Sequence, residues 1–353
     1  MKTDIRSLLP AELENLILQR GLPKFRAKQI FEWLHRGVQS FDEMTNLPKE
    51  LRAQLSEFAY IADVCVYKKL VSVIDGTVKF VFRLYDNNFI ETVVMKYKHG
   101  YSVCVSSQVG CRMGCAFCQS TKSGLVRNLL PGEILGQILT AQRELNIRIS
   151  NIVMMGIGEP LDNFDNTVKF LELVNHPDGI NIGYRHISLS TCGLADNIRR
   201  LAEVDLPITL SVSLHAAFDD KRSKMMPVNK KYSIDKLLAA CRYYQAVTGR
   251  RIVFEYSLID GVNNSPADAK RLFDILSGIM YHINLIPVNK IENGTFCPPD
   301  TDRIKKFSET LISMGASCTV RRTLGADISA SCGQLRSKYE RERRNCVDNF
   351  RLQ

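Results

Sequence analysis

The sequence predicts an α/β protein built on a parallel sheet, preceded by a small helical module and a strand-rich connector. Three observations carry this. Short β-branched runs recur after residue 100, at YSVCVSS, NIVMMG, HISLST, ITLSVSLHA, RIVFEYSLI and HINLIPVN. Segments of helical period separate most of them, so strand and helix alternate about six times, which calls for parallel pairing in a barrel or a doubly wound sheet. Before them, residues 1–58 carry helical apolar stripes and residues 59–98 an alternating strand pattern.

In chain order, PAELENLILQRG sets Leu13, Leu16 and Ile17 on one helical face, with Gly21 past its end. KFRAKQIFEWLHRG follows, with Phe25, Ile30, Trp33 and Leu34 as its apolar positions and basic residues around them. LPKELRAQL has Pro48 where a first turn tolerates it. The basic surface of this module reads equally as a solvated face or as an RNA-gripping arm. TVKFVFRLYDNNFIETVVMKY alternates around a DNN turn and predicts a hairpin. In the core, residues 99–338, PGEILGQILTAQREL, SPADAKRLFDILSG (Ser265 cap, Pro266 first) and DTDRIKKFSETLISMG predict helices. Residues 339–353 form a charged tail, and no low-complexity segment or close repeat is present.

With 353 residues and 45% apolar content the chain can bury a large core. No apolar stretch approaches the ~20 residues that span a bilayer, and MKTDIRSLLPAELENL lacks the h-region of a signal peptide. The expected compartment is the cytoplasm, where eleven cysteines point to metal or redox chemistry rather than to a disulfide framework. Cys65, Cys241, Cys297, Cys318 and Cys346 have no partner at metal-ligand spacing and read as small packing residues. The net charge of +10 is compatible with a polyanionic partner.

The strongest local signal is GCRMGCAFCQ, in which Cys111, Cys115 and Cys118 are spaced as Cx3Cx2C on the loop after the first core strand. Structural zinc and ordinary iron–sulfur clusters take four protein ligands. Three thiolates on a cubane leave one iron open. A molecule offering an amine and a carboxylate can chelate that iron and receive one electron from it. If the molecule is S-adenosylmethionine, a carbon–sulfur bond breaks and a 5′-deoxyadenosyl radical is released. The competing reading is a zinc knuckle completed by a distant residue, or three thiols without metal. GIGEP, at the end of the next strand, offers glycine backbone for close approach and Glu159 as an acceptor for an ammonium group. Ser190, Thr191, His215 and Asn289 stand at later strand ends, where chemistry collects in parallel sheets. Cys104, seven residues before the first of the three, and Cys332 in GADISASCGQL can accept a methyl group, form a disulfide, or pack.

At the Cx3Cx2C loop the chain resembles the radical-SAM superfamily, which implies a partial (βα)6 barrel. CVSSQVGCRMGCAFC, MMGIGEPLDN, SVSLHA, INLIPVN and DISASCGQL together resemble the radical-SAM RNA methyltransferases of RlmN type, and FRAKQIFEWLHRGVQSFDEMTNLPKELR is similar to that family's accessory domain. The resemblance implies a [4Fe-4S] cluster on Cys111, Cys115 and Cys118 and two S-adenosylmethionine molecules per turnover. It also implies methylation of adenosine C2 in 23S ribosomal RNA and in transfer RNA. Cys332 becomes the methylated cysteine, Cys104 the thiol that releases product through a disulfide, and Glu91 the base. Read alone, Glu91 is a single acid on a strand, a position that faces solvent. Cofactor contacts fall on Gly158, Glu159, Ser190, Ser213, Leu214, His215 and Asn289. The implied partners are RNA and an electron donor such as flavodoxin or ferredoxin, with no membrane and a monomeric chain. Cys192, beside Ser190, departs from the small hydroxylic residue usual in the family, with the ribose side of the site in question. The alternatives are C8 methylation by the Cfr-type branch (antibiotic resistance), a radical-SAM enzyme with a non-RNA substrate, and a cluster-bearing RNA-binding protein without turnover.

Overall fold

A computed structural model describes residues 2–291 and 294–335. The charged tail at 339–353, with Cys346, lies outside the described residues.

The helical module comprises β1 (Thr3–Asp4), α1 (Pro10–Gln19), α2 (Phe25–His35), α3 (Lys49–Phe58) and β2 (Ala59–Tyr60), with β1 and β2 paired in parallel. Leu13, Ile17, Ile30, Leu34, Leu51 and Leu55 form its buried stripe. Phe25, one of the apolar positions of this segment, is 56% exposed under the Arg26 guanidinium. At 100° per residue it lies opposite Ala27, from which the buried face of α2 begins. The module is locked to the rest of the chain by buried polar groups. The Asp4 carboxylate accepts from Ser7 Oγ and from the Ala62 amide at 2.9 Å, and Arg6 Nη1 donates to Ala62 O at 2.9 Å. Ser7 Oγ in turn accepts from the amide of Gly132, so close to Asp4 that a side chain at 132 would collide with it.

The connector strands β3 (Val64–Val71), β4 (Val78–Leu84) and β5 (Phe89–Tyr97) form an antiparallel meander. They continue directly into β6 (Gly100–Cys104), so connector and core share one sheet. After a small hairpin of β7 (Gln108–Gly110) and β8 (Leu125–Asn128) come α4 (Pro131–Leu145), β9 (Ile149–Met154), α5 (Phe164–Asn175), β10 (Ile187–Thr191) and α6 (Ala195–Val204). Then follow β11 (Thr209–Ser213), α7 (Asp219–Met225), α8 (Ile234–Thr248), β12 (Ile252–Leu258), α9 (Pro266–Ile275), β13 (Tyr281–Pro287), α10 (Thr301–Ser313) and β14 (Cys318–Val320). The sheet order is β14-β13-β12-β11-β10-β9-β6-β5-β4-β3. Each parallel strand from β6 onward is added at the same edge. The strand order never reverses, as a doubly wound sheet requires, and β3 and β14 remain as edges. The architecture is a partial barrel with helical crossovers. Among the described residues no helix is long and apolar enough to cross a membrane.

Period-2 alternation decides what lines the barrel. On β12, Ile252, Phe254, Tyr256 and Leu258 join the helix-facing core, which turns Glu255 and Ser257 inward. On β10 and β11, Leu189, Leu210 and Val212 do the same and leave Ser190 and Ser213 facing the interior. The strands are thus apolar on one face and hydroxylic on the other.

His35 generates a prediction. It is buried against Phe31, with ring centroids 4.2 Å apart, and neither ring nitrogen has a hydrogen-bond partner among the described residues. Burial pushes its pKa down to about 3. Between that value and the ordinary 6.5, the unfolded chain binds a proton that the native state refuses. Stability therefore rises with pH across this window and is lost as pH falls, at up to ~1.4 kcal/mol per pH unit from this residue. Urea midpoints at pH 7, 6 and 5 measure the slope; His35→Leu flattens it, and an unchanged slope contradicts the assignment.

Candidate functional site: a thiol-lined cavity at the strand ends

The loop carrying the three cysteines is shaped by its backbone. Gly110 and Gly114 hold φ of 75° and 74°, and at Gly110 a side chain would strike the carbonyl of Gly124. The Cys111 amide donates to Gly124 O at 2.9 Å, Ala116 N to Met225 O at 2.9 Å, and Gln119 N to Gly333 O at 2.8 Å. These bonds wrap the loop around a cavity of about 930 Å³ lined by all three cysteines. Cys111 and Cys115 are buried and Cys118 half-buried. Burial pushes the Cys111 thiol up to about 12 and raises Cys115 and Cys118 as well, and the cysteines oppose one another's ionisation. Thiols held protonated in this way give up their protons to a cationic centre and to little else. Among the described residues no three His, Cys, Asp or Glu side chains gather tightly enough for a single metal ion. A four-iron cluster takes one thiolate per iron and so requires its ligands spread apart; the all-sulfur donor set and the cavity beside it fit such a cluster.

Opposite the loop, Gly158 (φ 104°) approaches Gln108 so closely that a Cβ would lie 2.6 Å from that residue's Cβ. Glu159 is buried, and burial raises its pKa. Its Oε1 accepts from the Leu161 amide at 3.1 Å and its Oε2 from the Cys192 amide at 2.7 Å. The carboxylate thus braces the end of β9 against the end of β10. Cys192 lines the cavity beside Ser190. It packs with Cys115 and faces Glu159, whose charge, after burial, is what raises its thiol.

Ser190, Ser213, His215 and Asn289 all line the cavity. His215 stands at φ 57°, its Nδ1 accepting from the Ser257 amide at 3.0 Å and its ring edge-on to Phe117 at 4.9 Å. Burial lowers its pKa to about 3, so the ring is neutral with its proton on Nε2. Leu214 is fully buried and is not among the cavity's lining residues. It contributes its backbone, accepting from Arg222 Nε at 3.0 Å.

Cys332 lines this cavity and also a second one of about 540 Å³, which it shares with Cys104, Met155, Asn289 and Arg321. Asn289 Nδ2 donates to Cys332 O at 3.0 Å. Both thiols are free, and burial, helped by Cys332, pushes Cys104 up to about 12. Glu91 differs from its expected setting. It is buried, 3.5 Å from Lys79 Nζ, and lies outside the lining of both cavities, although Val93 and Met95 on the same face of β5 line the second. β5 is an interior strand of the sheet, covered on both faces, so its one acid is drawn into the core with a counter-ion. Of the cysteines read as packing residues, Cys241 is buried, Cys65 and Cys318 are half-buried, and Cys297 is exposed.

Sequence reasoning missed Arg222. It is fully buried, and burial lowers its pKa. It donates to Leu214 O, to Cys192 O at 2.9 Å, to Ser213 O at 3.0 Å and to Asn229 Oδ1 at 2.9 Å, clamping the ends of β10 and β11. Its neighbourhood, DDKRSKM, reads as a solvated run, and no local signal marks it. Arg222→Met leaves these acceptors unpaired in the core and lowers stability by about 3 kcal/mol or more, read as the shift in urea midpoint. A shift under ~1 kcal/mol contradicts the clamp.

Residues 105–273 match the family model of the Radical SAM superfamily, and residues 3–61 that of the ribosomal RNA large subunit methyltransferase N-terminal domain. The chain is 54% identical over 338 residues to the probable dual-specificity RNA methyltransferase RlmN of Alkaliphilus oremlandii (strain OhILAs), covering 96% of this chain and 98% of that one. Against the protein of the same name from Clostridium novyi (strain NT) it is 52% identical over 331 residues, covering 94% and 96%. A crystal structure of a radical SAM methyltransferase from Sphaerobacter thermophilus matches with a TM-score of 0.91 at 44% identity, covering 95% of this chain and 99% of that one. Relatedness at this level along nearly the whole chain, on the fold and thiol-lined site just described, means that the chain belongs to the RlmN family of radical SAM RNA methyltransferases.

Proposed function

We propose that this protein methylates C2 of adenosine in ribosomal RNA and in transfer RNA, in the cytoplasm, through a methylated Cys332. The observation that carries the reading is the position of Cys332 on the wall common to two cavities, one containing the three-cysteine loop and the other Cys104. The names of the relatives, dual-specificity RNA methyltransferases, support the substrate class.

When bound, a [4Fe-4S] cluster on Cys111, Cys115 and Cys118 supplies an electron that breaks a carbon–sulfur bond of S-adenosylmethionine and yields a 5′-deoxyadenosyl radical. Gly158 and Glu159 hold the aminoacyl end of that cofactor, and Ser190, Ser213 and Asn289 supply hydroxyl and amide partners. Leu214 contributes backbone, and His215 offers an Nε2 proton fixed by the bond at Nδ1. Cys332 would take a methyl group from one cofactor molecule, which leaves as S-adenosylhomocysteine. That methyl would lose a hydrogen atom to the deoxyadenosyl radical derived from a second, and the remaining carbon would bond to C2 of the adenine while still attached to the Cys332 sulfur. Cys104 forms a disulfide with Cys332 as the carbon–sulfur bond to RNA breaks. Glu91 takes the ring proton, for which its pairing with Lys79 must open. Lys79 also donates to Ser329 O at 3.0 Å, so that pair sits against the segment leading to Cys332. The reductant is a small electron-transfer protein of flavodoxin or ferredoxin type.

Nucleoside mass spectrometry of RNA from cells with and without the protein tests the reading. 2-Methyladenosine appears only with the protein; 8-methyladenosine instead, or no change, overturns it. Two variants test the roles. Cys118→Ala takes up no intact cluster on anaerobic reconstitution and forms no 5′-deoxyadenosine. Cys104→Ala stalls with RNA covalently attached to Cys332, seen as a nuclease-sensitive mass shift on denaturing gels, and free methylated RNA at the wild-type rate contradicts the role of Cys104.

A further inference from the structure

The segment that carries Cys332 has little structure of its own. After β14 it makes one short turn, Ala326–Ile328, set between Gly325 at φ 64° and Ser329 at φ 51°, a left-handed conformation that is unfavourable for a residue with a side chain. The bonds inside that turn are long, 3.3 Å from Ile328 N to Gly325 O and 3.4 Å from Ser329 N to Ala326 O. Its shape comes instead from a partner 250 to 255 residues earlier in the chain, the turn that joins β3 to β4. That turn is first closed on itself. Ser72 Oγ accepts from the amides of Ile74 and Asp75, both at 3.2 Å, and Asp75 Oδ1 accepts from the Thr77 amide at 2.9 Å. The other oxygen of Asp75 accepts from the Gly325 amide at 2.8 Å. Asp327 returns the exchange, accepting from Ser72 Oγ at 2.7 Å and from the Val73 amide at 3.0 Å. Lys79 Nζ on β4 adds a bond to Ser329 O at 3.0 Å.

Each side thus gives a carboxylate to the other's backbone, and bonds to a carboxylate are roughly twice as strong as neutral ones. The contact is also close, since a Cβ at Gly325 would lie 3.0 Å from Thr77 Cγ2. No residue of β3, of β4 or of the turn between them lines either cavity. The hairpin reaches the chemistry only through the segment it holds. Beyond that segment Cys332 has a second anchor, with Asn289 on its carbonyl and Gln119 N on Gly333 O. The thiol is therefore suspended between two anchors, and it has two appointments, with the cofactor in one cavity and with Cys104 in the other. The rate of each follows the fraction of time the sulfur spends in reach, its effective concentration. Releasing the upstream anchor spreads Cys332 over positions that serve neither.

We propose that the β3–β4 turn is a clasp for the methyl-carrying thiol, with Asp327 and Asp75 as positioning residues that keep Cys332 within reach of both cavities. The inference rests on the roles given above to Cys332 and Cys104, and the test keeps the two apart. The full-length protein with its cluster reconstituted is equilibrated anaerobically with reduced and oxidised glutathione at graded ratios, and the Cys104–Cys332 disulfide is quantified by peptide mass spectrometry. Each disulfide formed oxidises two protein thiols and reduces one glutathione disulfide to two glutathiones. In Asp327→Ala the equilibrium constant for this exchange falls about tenfold, and in Asp327→Asn, which keeps one acceptor oxygen, it falls less. Asp75→Asn keeps the oxygen that serves Thr77 but sets an NH2 group against the Gly325 amide, and it shifts the constant in the same direction from the other side of the clasp. With substrate RNA, Asp327→Ala and Asp75→Asn form about threefold or more 5′-deoxyadenosine per methylated adenosine than the wild type, because cofactor cleavage continues while methyl delivery falls. Iron content and the thermal midpoint establish that each variant is folded. Wild-type constants and wild-type ratios in both variants overturn the inference. So does a loss of iron, 5′-deoxyadenosine and methylated RNA in parallel with the ratio unchanged, the mark of a tie that only stabilises the fold. A wild type that forms no Cys104–Cys332 disulfide at any glutathione ratio is a different failure, one that removes the role of Cys104 and this inference with it.

Discussion

Three thiols on one tight loop, two buried and one half-buried, resist ionising together unless a positive centre sits among them, and the rest of the site is arranged around that constraint. Burial and mutual repulsion both hold the protons on Cys111, Cys115 and Cys118. The loop holds its shape because its amides are tied to Gly124, Met225 and Gly333. An assembly that brings several metal charges and takes one thiolate from each side chain satisfies all three. The loop also follows β6, at the strand ends where a parallel sheet exposes its polar termini.

The surrounding walls keep this arrangement fixed. Glu159 spans from β9 to β10 through the Cys192 amide, Arg222 spans from β10 to β11 through Cys192 O and Ser213 O, and the helix bearing Arg222 ends at Met225, whose carbonyl holds the cysteine loop. The chain of contacts therefore runs from loop to clamp to strand ends and back to Glu159. Cys332 enters from the far edge of the sheet, with Asn289 on its carbonyl and Gly333 on the loop. The segment before it is held at the opposite side by Lys79 and by Asp327, whose carboxylate accepts from Ser72 Oγ at 2.7 Å. The second thiol is thus fixed from both ends of the sheet.

Much of this was legible in the amino-acid sequence because it is written in short periods. Alternation on β10–β13 announces which residues line the barrel, and cap residues such as Ser265 announce where helices begin. The order of strands in one direction was not legible, since barrel and doubly wound sheets share the same alternation; hydrogen-bond register decides it. Arg222, Glu255 and the buried pairing of Glu91 with Lys79 escaped for a common reason. Each depends on residues that meet only after strands and helices have packed, so a charged residue destined for the interior looks like one destined for water. Cys192 stands out in the sequence as a departure from the family's usual residue, but its hydrogen bond to Glu159 was not legible there, because the side of β10 on which Glu159 lies is set by the tertiary fold.

The central claim is an open-cornered iron–sulfur centre on the three-cysteine loop, and electron paramagnetic resonance of the anaerobically reconstituted, reduced protein addresses it most directly. About four irons per chain and a cluster signal that changes shape when S-adenosylmethionine is added are the results the account predicts. A protein that takes up zinc in place of iron, or a cluster whose signal is indifferent to that ligand, would contradict it.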